Sequence, residues 1–156
     1  MNIASGHLFN KGFLLLLPLL AAIFFASDAI ARHALLTFPI QDVLKSEDAK
    51  ERLSGRVKFY FGSQDSGEVA RDFGEYRTNK KTNAFNKSDL KACYWTFLSA
   101  LIALEKRALR EGGNAVVDIQ SNYKNNAFSS ETEFECGAGN IIAGVALKGT
   151  VVKLKP

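Results

Sequence analysis

The sequence predicts an α+β domain in which one long helix packs on a small, mainly antiparallel sheet, with a short helix near the N-terminus of the domain. Apolar residues recur at helical spacing from residue 88 to residue 111. After Gly112 and Gly113 the pattern changes to alternation, which is typical of strands. Turns rich in Gly and Asn then divide the alternating part into an antiparallel meander.

The first 31 residues have the features of a signal peptide. Lys11 provides the positive charge, residues 13–25 are almost uninterruptedly apolar, and residues 29–31 read Ala-Ile-Ala, a site that signal peptidase accepts. A retained membrane anchor is the alternative, but the apolar run of about 13 residues is short for a bilayer span and contains Pro18. Because no Cys stands at the cleavage point, lipoprotein processing is excluded. We therefore expect one periplasmic domain over residues 32–156.

The elements before the long helix follow from the residue pattern in order. Residues 34–40 suit an extended lead-in, and residues 40–53 a short helix that ends at Ser54 and Gly55. Residues 56–61 alternate charged and bulky side chains, as expected for a strand with one buried face, and residues 62–67 form a turn. Residues 69–85 are compatible with either an edge strand or an ordered loop, because charged residues there have few apolar partners.

The long helix has start and stop signals as well as an apolar stripe. Ser88 is a candidate N-cap, and Gly112 ends the helix. The stripe consists of Leu90, Tyr94, Phe97, Leu98, Leu101, Leu104 and Ala108. Strands are expected over residues 115–123, 130–136 and 141–154, with turns at 124–128 and 137–140; in the first of them Val117 and Ile119 share one face and Val116 the other.

Cys93 and Cys136 are expected to form a disulfide, because export would place them in an oxidising compartment. A metal site or a redox pair is the alternative, but neither a CxxC spacing nor a nearby His supports it. We therefore expect neither a metal site nor a cofactor.

A polar stretch in residues 76–83 offers donors for an anion or a polar polymer, and exposed aromatic side chains could extend that surface. The candidate binding residues are Tyr76, Arg77, Asn79, Lys80, Lys81, Asn83 and Tyr123. The alternative is that the lysines protect an edge strand and that the aromatics are half-buried packing residues. The net charge of +4 favours anionic envelope partners, whereas nucleic-acid binding usually requires denser basic clusters.

Two resemblances add to this interpretation. Residues 108–119, ALREGGNAVVDI, resemble the A-x-x-x-G-A-N-A-V-V passage of the YbjQ-like and RcsF-like envelope proteins, and residues 143–152 resemble their closing strand. The resemblance covers roughly residues 88–154 and implies a helix packed on a small sheet, with a glycine forming the tight helix-to-strand turn. RcsF-like proteins are stress sensors with two disulfides and a lipid-modified Cys, whereas this chain has two Cys and no lipid site. YbjQ-like proteins are associated with metal binding, but His33 is the only His after residue 31.

Residues 78–88 and 113–119 also look like a group of short exported proteobacterial proteins that often bear the label of an excinuclease ATPase subunit. ATP hydrolysis of that kind needs a phosphate-binding G-x-x-x-x-G-K-[ST] loop and a carboxylate for magnesium, and the associated DNA recognition needs zinc-binding Cys clusters. The sequence contains none of these motifs, and a signal peptide would export the chain away from DNA and ATP. We therefore do not expect a genuine excinuclease ATPase.

The expected function is a non-enzymatic binding or interaction module of the envelope, such as an accessory of an envelope assembly or of a stress response. Its expected partner is another envelope protein, an anionic lipid headgroup or a glycan. One alternative is a small-ligand or metal-binding protein. The other is a carboxylate-dependent hydrolase that uses Asp118, Glu131, Glu133 and Glu135, although their alternation is also typical of the solvent side of a strand.

Overall fold

A computed structural model describes residues 33–156, which lie within one compact unit, Ala31–Pro156. The predicted signal peptide, residues 1–31, lies outside the described residues. The described part is mixed α+β, which confirms the predicted class. Its strands are β1 (His33–Pro39), β2 (Lys58–Phe61), β3 (Val69–Asn83), β4 (Ala115–Tyr123), β5 (Asn126–Phe128), β6 (Glu133–Gly139) and β7 (Ile142–Leu154), and its helices are α1 (Ile40–Leu44), α2 (Glu47–Arg52) and α3 (Asp89–Glu111).

The seven strands form one sheet around β7. The order is β1-β6-β7-β4-β2, β3 pairs with β7, and β5 pairs with β4. One edge of β7 is shared, because β6 pairs with its residues 143–144 and β4 with its residues 147–152. Every pairing is antiparallel except that of β2 with β4. None of the helices in residues 33–156 combines the length and apolar character needed to cross a membrane.

Residues 69–85, for which the sequence was compatible with an edge strand or a loop, form an edge strand over most of their length. β3 follows β7 from the pair Val69–Leu154 to the pair Asn83–Ile142, and β7 is its only partner among the described strands. Its exposed charged residues are typical of edge strands, which must resist pairing with other chains.

The predicted short helix over residues 40–53 is two helices. Ser46 has extended backbone angles, and its Oγ accepts a hydrogen bond from the Ala49 backbone N at 3.2 Å. Ser46 is therefore the N-cap of a new helix rather than an interior residue.

The long helix is present with its predicted caps. The Ser88 Oγ accepts from the Lys91 backbone N at 3.2 Å, and Gly112 ends the helix with a φ of 83°. The apolar stripe was partly wrong, because Leu90 is 49% exposed whereas Thr96 and Glu105 are buried. α3 contacts β3, β6 and β7.

A bulge in β4 overturns the predicted alternation. Asp118 has a φ of 49°, and the register between β4 and β7 shifts between Val117 and Gln120. Val116 and Ile119 therefore both lie in the core, although strict alternation placed them on opposite faces. An extra residue in one strand has this effect on every side chain that follows it.

The two late turns also differ from prediction. Lys124 and Asn125 both have positive φ, 51° and 65°, so they form the two-residue turn of a hairpin whose second strand is β5. The other predicted turn, residues 137–140, largely belongs to β6, because Gly137 and Ala138 pair with both β1 and β7.

The core lies where α3 meets β6 and β7. Phe97 of α3 stacks on Phe134 of β6, with ring centroids 3.9 Å apart. Cys93 and Cys136 are fully buried in the same cluster, and their sulfur atoms lie at disulfide distance, 2.11 Å. The predicted pairing of the two cysteines is therefore confirmed.

Candidate functional site

Alternation along β3 separates the predicted binding residues. Arg77, Asn79 and Lys81 are exposed, whereas Tyr76 and Lys80 are half-buried. The ring of Tyr76 packs at the border of the core, with the guanidinium carbon of Arg107 from α3 4.5 Å from its centroid. Tyr76 and Lys80 therefore belong to the packed side of the strand, and the exposed residues to the other side.

Arg77 and Asn79 line a cleft with residues from a second part of the chain. Its volume is about 270 Å³. The other side chains that line it are Thr78, Asn122, Lys124, Asn125 and Ala146. The cleft thus brings together two cations and three carboxamides, which are the groups that pair with anionic and hydroxyl groups.

Strand pairing explains why these residues meet. Asn79 of β3 lies opposite Ala146 of β7, and Ser121 of β4 lies opposite Leu147 of β7. Asn122, the next residue of β4, consequently comes close to Ala146 from the other side. The small Ala146 side chain leaves room for a cleft between the two strands.

The hairpin turn supplies the remaining wall. Lys124 and Asn125 occupy the two turn positions with positive φ. The Lys124 Nζ lies 5.7 Å from the ring centroid of Tyr123. The tight turn therefore positions the side chains of Lys124 and Asn125 at the cleft.

One carboxylate, Glu75 of β3, lies beside Arg77 of the cleft and near Lys148 of β7. The Arg77 Nε donates to Glu75 Oε1 at 2.9 Å, and the Lys148 Nζ lies 3.7 Å from Glu75 Oε2. The hydrogen bond from Arg77 is the main cause that lowers the pKa of the Glu75 carboxyl. Glu75 therefore stays ionised beside Arg77. The local charge remains positive, because three cations, Arg77, Lys124 and Lys148, lie near this one carboxylate.

The other predicted residues, Asn83, Tyr123 and Lys81, do not line the cleft. The Asn83 Oδ1 accepts from the Phe85 backbone N at 2.8 Å, so its side chain closes the turn after β3. The Tyr123 hydroxyl hydrogen-bonds with the Nε2 of His33 at 2.7 Å, and its ring lies against Gly137. Lys81 is exposed but does not line the cleft.

Sequence reasoning missed Asn122, Lys124 and Asn125 as site residues. The available signal was the Asn-rich stretch that follows β4, which was interpreted only as a turn. Their closeness to Arg77 depends on the β3–β7–β4 pairing, for which the sequence contains no local pattern.

The carboxylates considered for hydrolysis differ in their surroundings. The Asp118 Oδ1 accepts from the Gln120 Nε2 at 2.6 Å, and Glu131 accepts from the Ser63 hydroxyl. Burial raises the pKa of the Glu135 carboxyl. Within residues 33–156, no group of three or more His, Cys, Asp or Glu side chains is arranged to hold a metal ion.

A second cleft, of about 300 Å³, lies between the short helices and α3. Its apolar lining includes Val43, Trp95 and Leu98. Its charged lining consists of Lys87, Lys91 and one carboxylate, Asp48, which is paired with Arg52. An apolar floor with cations beside it suits a small amphipathic anion.

No protein-family model, no curated protein and no solved structure matches this chain. The functional conclusions therefore rest on its own residues and contacts.

Proposed function

We propose that this protein is an exported, non-enzymatic binding module of the bacterial envelope whose polar cleft binds an anionic glycan. The observation that carries the proposal is the meeting of Arg77 and Asn79 with Asn122, Lys124 and Asn125 around one cleft of about 270 Å³. The cations would neutralise carboxylate or phosphate groups of the glycan. The carboxamides, which both donate and accept, would pair with its hydroxyl groups.

The size of the cleft supports a polymer rather than a large single ligand. Pockets for drug-sized ligands usually occupy about 300–1,000 Å³, and this cleft lies just below that range. It would hold one or two sugar units, with the rest of the chain running over the exposed side of β3. Lys81, which is exposed beyond the cleft, would then contact the glycan chain as an outer cation.

The exported location is supported by two independent features. The pairing of Cys93 with Cys136 is compatible with an oxidising compartment, and residues 1–31 have the pattern of a signal peptide. The YbjQ-like and RcsF-like arrangement, in which one long helix covers a sheet, belongs to the same proposal; contacts of α3 with β3, β6 and β7 support it. The hydrogen bonds that Asp118 and Glu131 accept favour structural over catalytic roles for these carboxylates.

Cosedimentation with purified peptidoglycan sacculi tests the proposal, and soluble lipopolysaccharide as a competitor identifies which anionic glycan is preferred. The double variant Arg77→Gln/Lys124→Gln should bind about tenfold more weakly, because each of these two exposed cations contributes up to about 1 kcal/mol. The matched control is Arg71→Gln/Lys153→Gln, which removes the same charge from a register pair of the β3–β7 ladder outside the cleft. Equal retention of both variants, or no retention of the unmodified chain on the sacculi, would contradict the proposal.

The apolar cleft favours a second candidate function, binding of a small amphipathic anion. Trp95 lines this cleft and is the only Trp in the chain, so its fluorescence reports occupancy directly. Titration with octanoate should change the Trp95 emission in a saturable way, and Lys91→Gln should weaken the effect. A linear, non-saturating response would exclude a defined site for such ligands.

A further inference from the structure

Three large apolar side chains project into solvent at one end of the sheet. Phe85 is 62% exposed, Ile141 66% and Ile142 55%. Ile142 is the register partner of Asn83, and the Ala84 backbone N donates to the Ile141 carbonyl at 2.7 Å. The three residues therefore lie together where β3 ends and β7 begins, and we call them the apolar tip.

Single exposed apolar residues are common on protein surfaces, but a contiguous group of bulky ones usually marks an interaction site. The turns that carry the apolar tip would tolerate polar residues, because they face solvent. Packing within residues 33–156 does not account for the exposed parts of these side chains.

Positive charge is concentrated in the segment of the chain that carries Phe85. Residues 80–91, which include Phe85, contain four lysines, Lys80, Lys81, Lys87 and Lys91, and one acidic residue, Asp89. Lys81, Lys87 and Lys91 are exposed. No ion pair among the described residues uses any of the four, although the Lys87 Nζ donates to the Asn83 carbonyl at 2.8 Å.

We propose that the apolar tip docks on the surface of an anionic phospholipid membrane. Phe85, Ile141 and Ile142 enter the boundary between headgroups and acyl chains, and the neighbouring lysines contact the lipid phosphates. Apolar burial combined with electrostatic attraction is what holds peripheral proteins at such an interface. The lysines select this partner over a neutral apolar protein surface, since they would be desolvated there without anions to pair with.

The docked orientation also has a consequence for the polar cleft. Arg77 and Asn79 lie four to six residues before Asn83 on β3, which corresponds to roughly 13–20 Å along the strand. The polar cleft would then stand just above the headgroups. The membrane proposal does not require the glycan proposal, because the apolar tip and Lys87 do not line the polar cleft. Lys81 is the one residue that both proposals use.

A tryptophan placed at the tip tests the proposal in the full chain. The variant Phe85→Trp is made in a Trp95→Phe background, and the matched control is Val69→Trp in the same background. Val69 is 42% exposed and starts β3, roughly 45 Å along the strand from the tip. Because both chains carry the same N-terminal segment, a difference between them isolates the contribution of the tip.

With vesicles of phosphatidylethanolamine and phosphatidylglycerol whose acyl chains are brominated, the Trp at position 85 should shift its emission to shorter wavelength and be quenched at least twofold. The Trp at position 69 should show neither change. Replacing the lipids by brominated phosphatidylcholine at the same salt concentration should abolish the quenching, because that zwitterionic surface offers the lysines no net negative charge. An unquenched tip, or equal quenching at both positions, would overturn the proposal.

The charge requirement has its own variant. Lys81→Gln/Lys87→Gln should lower partitioning into the anionic vesicles about 25-fold, from about fivefold for each basic residue near an anionic surface. Arg71→Gln/Lys153→Gln is again the control with equal charge and should partition as the unmodified chain does. Equal partitioning of the two double variants would overturn a role for the lysines of residues 80–91.

Discussion

The double variant Cys93→Ala/Cys136→Ala is expected to lose about 4 kcal/mol of unfolding free energy. The disulfide joins residues 43 positions apart. In the chain-entropy model, closing a loop of this length lowers the entropy of the unfolded chain by about 13 cal/mol/K, which is about 4 kcal/mol at 25 °C. Such a loss is large beside the typical 5–15 kcal/mol of a folded protein.

Packing should add to this loss rather than offset it. Both cysteines are fully buried, and they connect the beginning of α3 to the middle of β6. Alanine at both sites removes two buried sulfur atoms, and the resulting space costs further free energy to the extent that Phe97 and Phe134 do not fill it.

Urea unfolding, followed by Trp95 fluorescence and by far-UV circular dichroism, measures this free energy. In thermal unfolding, the melting temperature of the variant should be roughly 12–20 °C below that of the unmodified chain. The unmodified chain under reducing conditions is the control, because it loses the cross-link without losing the sulfur atoms. A loss below about 1 kcal/mol in both samples would refute the argument from loop closure.

Three further predictions concern single side chains. Glu105 is buried and accepts hydrogen bonds from both the backbone N and the Oγ of Ser54, at 2.9 and 2.8 Å. Glu105→Ala should therefore lower the free energy of unfolding in urea by about 2–3 kcal/mol, because a backbone donor loses its partner. A loss under about 0.5 kcal/mol would contradict that role. Burial raises the pKa of Glu135, so the folded state is favoured while this carboxyl is protonated, and that advantage is lost as the pH rises through the raised pKa. Glu135→Gln should thus raise the melting temperature at pH 7 and converge with the unmodified chain at acid pH; a constant difference at all pH values would argue against it. A Cβ at Gly137 would collide with the ring of Tyr123, so Gly137→Ala should lower the free energy of unfolding by about 1–3 kcal/mol. In a double-mutant cycle, Tyr123→Ala should remove most of this loss. Strict additivity of the two substitutions would show that the sites are not coupled.

The sequence predicted correctly where the long helix begins and ends, because helix capping depends on residues that are close in the chain. Ser88 and Gly112 bound α3 as expected, because capping uses side-chain and backbone groups within one turn of the helix. The division of residues 40–53 at Ser46 was missed although its signal is equally local, since Ser is also tolerated inside short helices.

The candidate site was only partly accessible from the sequence. Arg77 and Asn79 were among the predicted residues because the stretch around them is dense in polar groups. Tyr76 and Lys80 were predicted together with them. Only the pairing of β3 with β7 shows that these two side chains lie on the packed side of the strand. Asn122 reached the cleft through a partner strand, which no sequence pattern specifies.

The sequence by itself determined the α+β class, the long helix and the pairing of its two cysteines, because these follow from periodicity, from capping and from the presence of two Cys. Only the tertiary structure decided which sides of the strands are buried. The bulge at Asp118 reverses the faces of β4, and the shared edge of β7 brings β3, β4 and β6 together. The physical reason is that a strand has a period of two, so a single residue of register, set by distant partners, moves every following side chain to the other face.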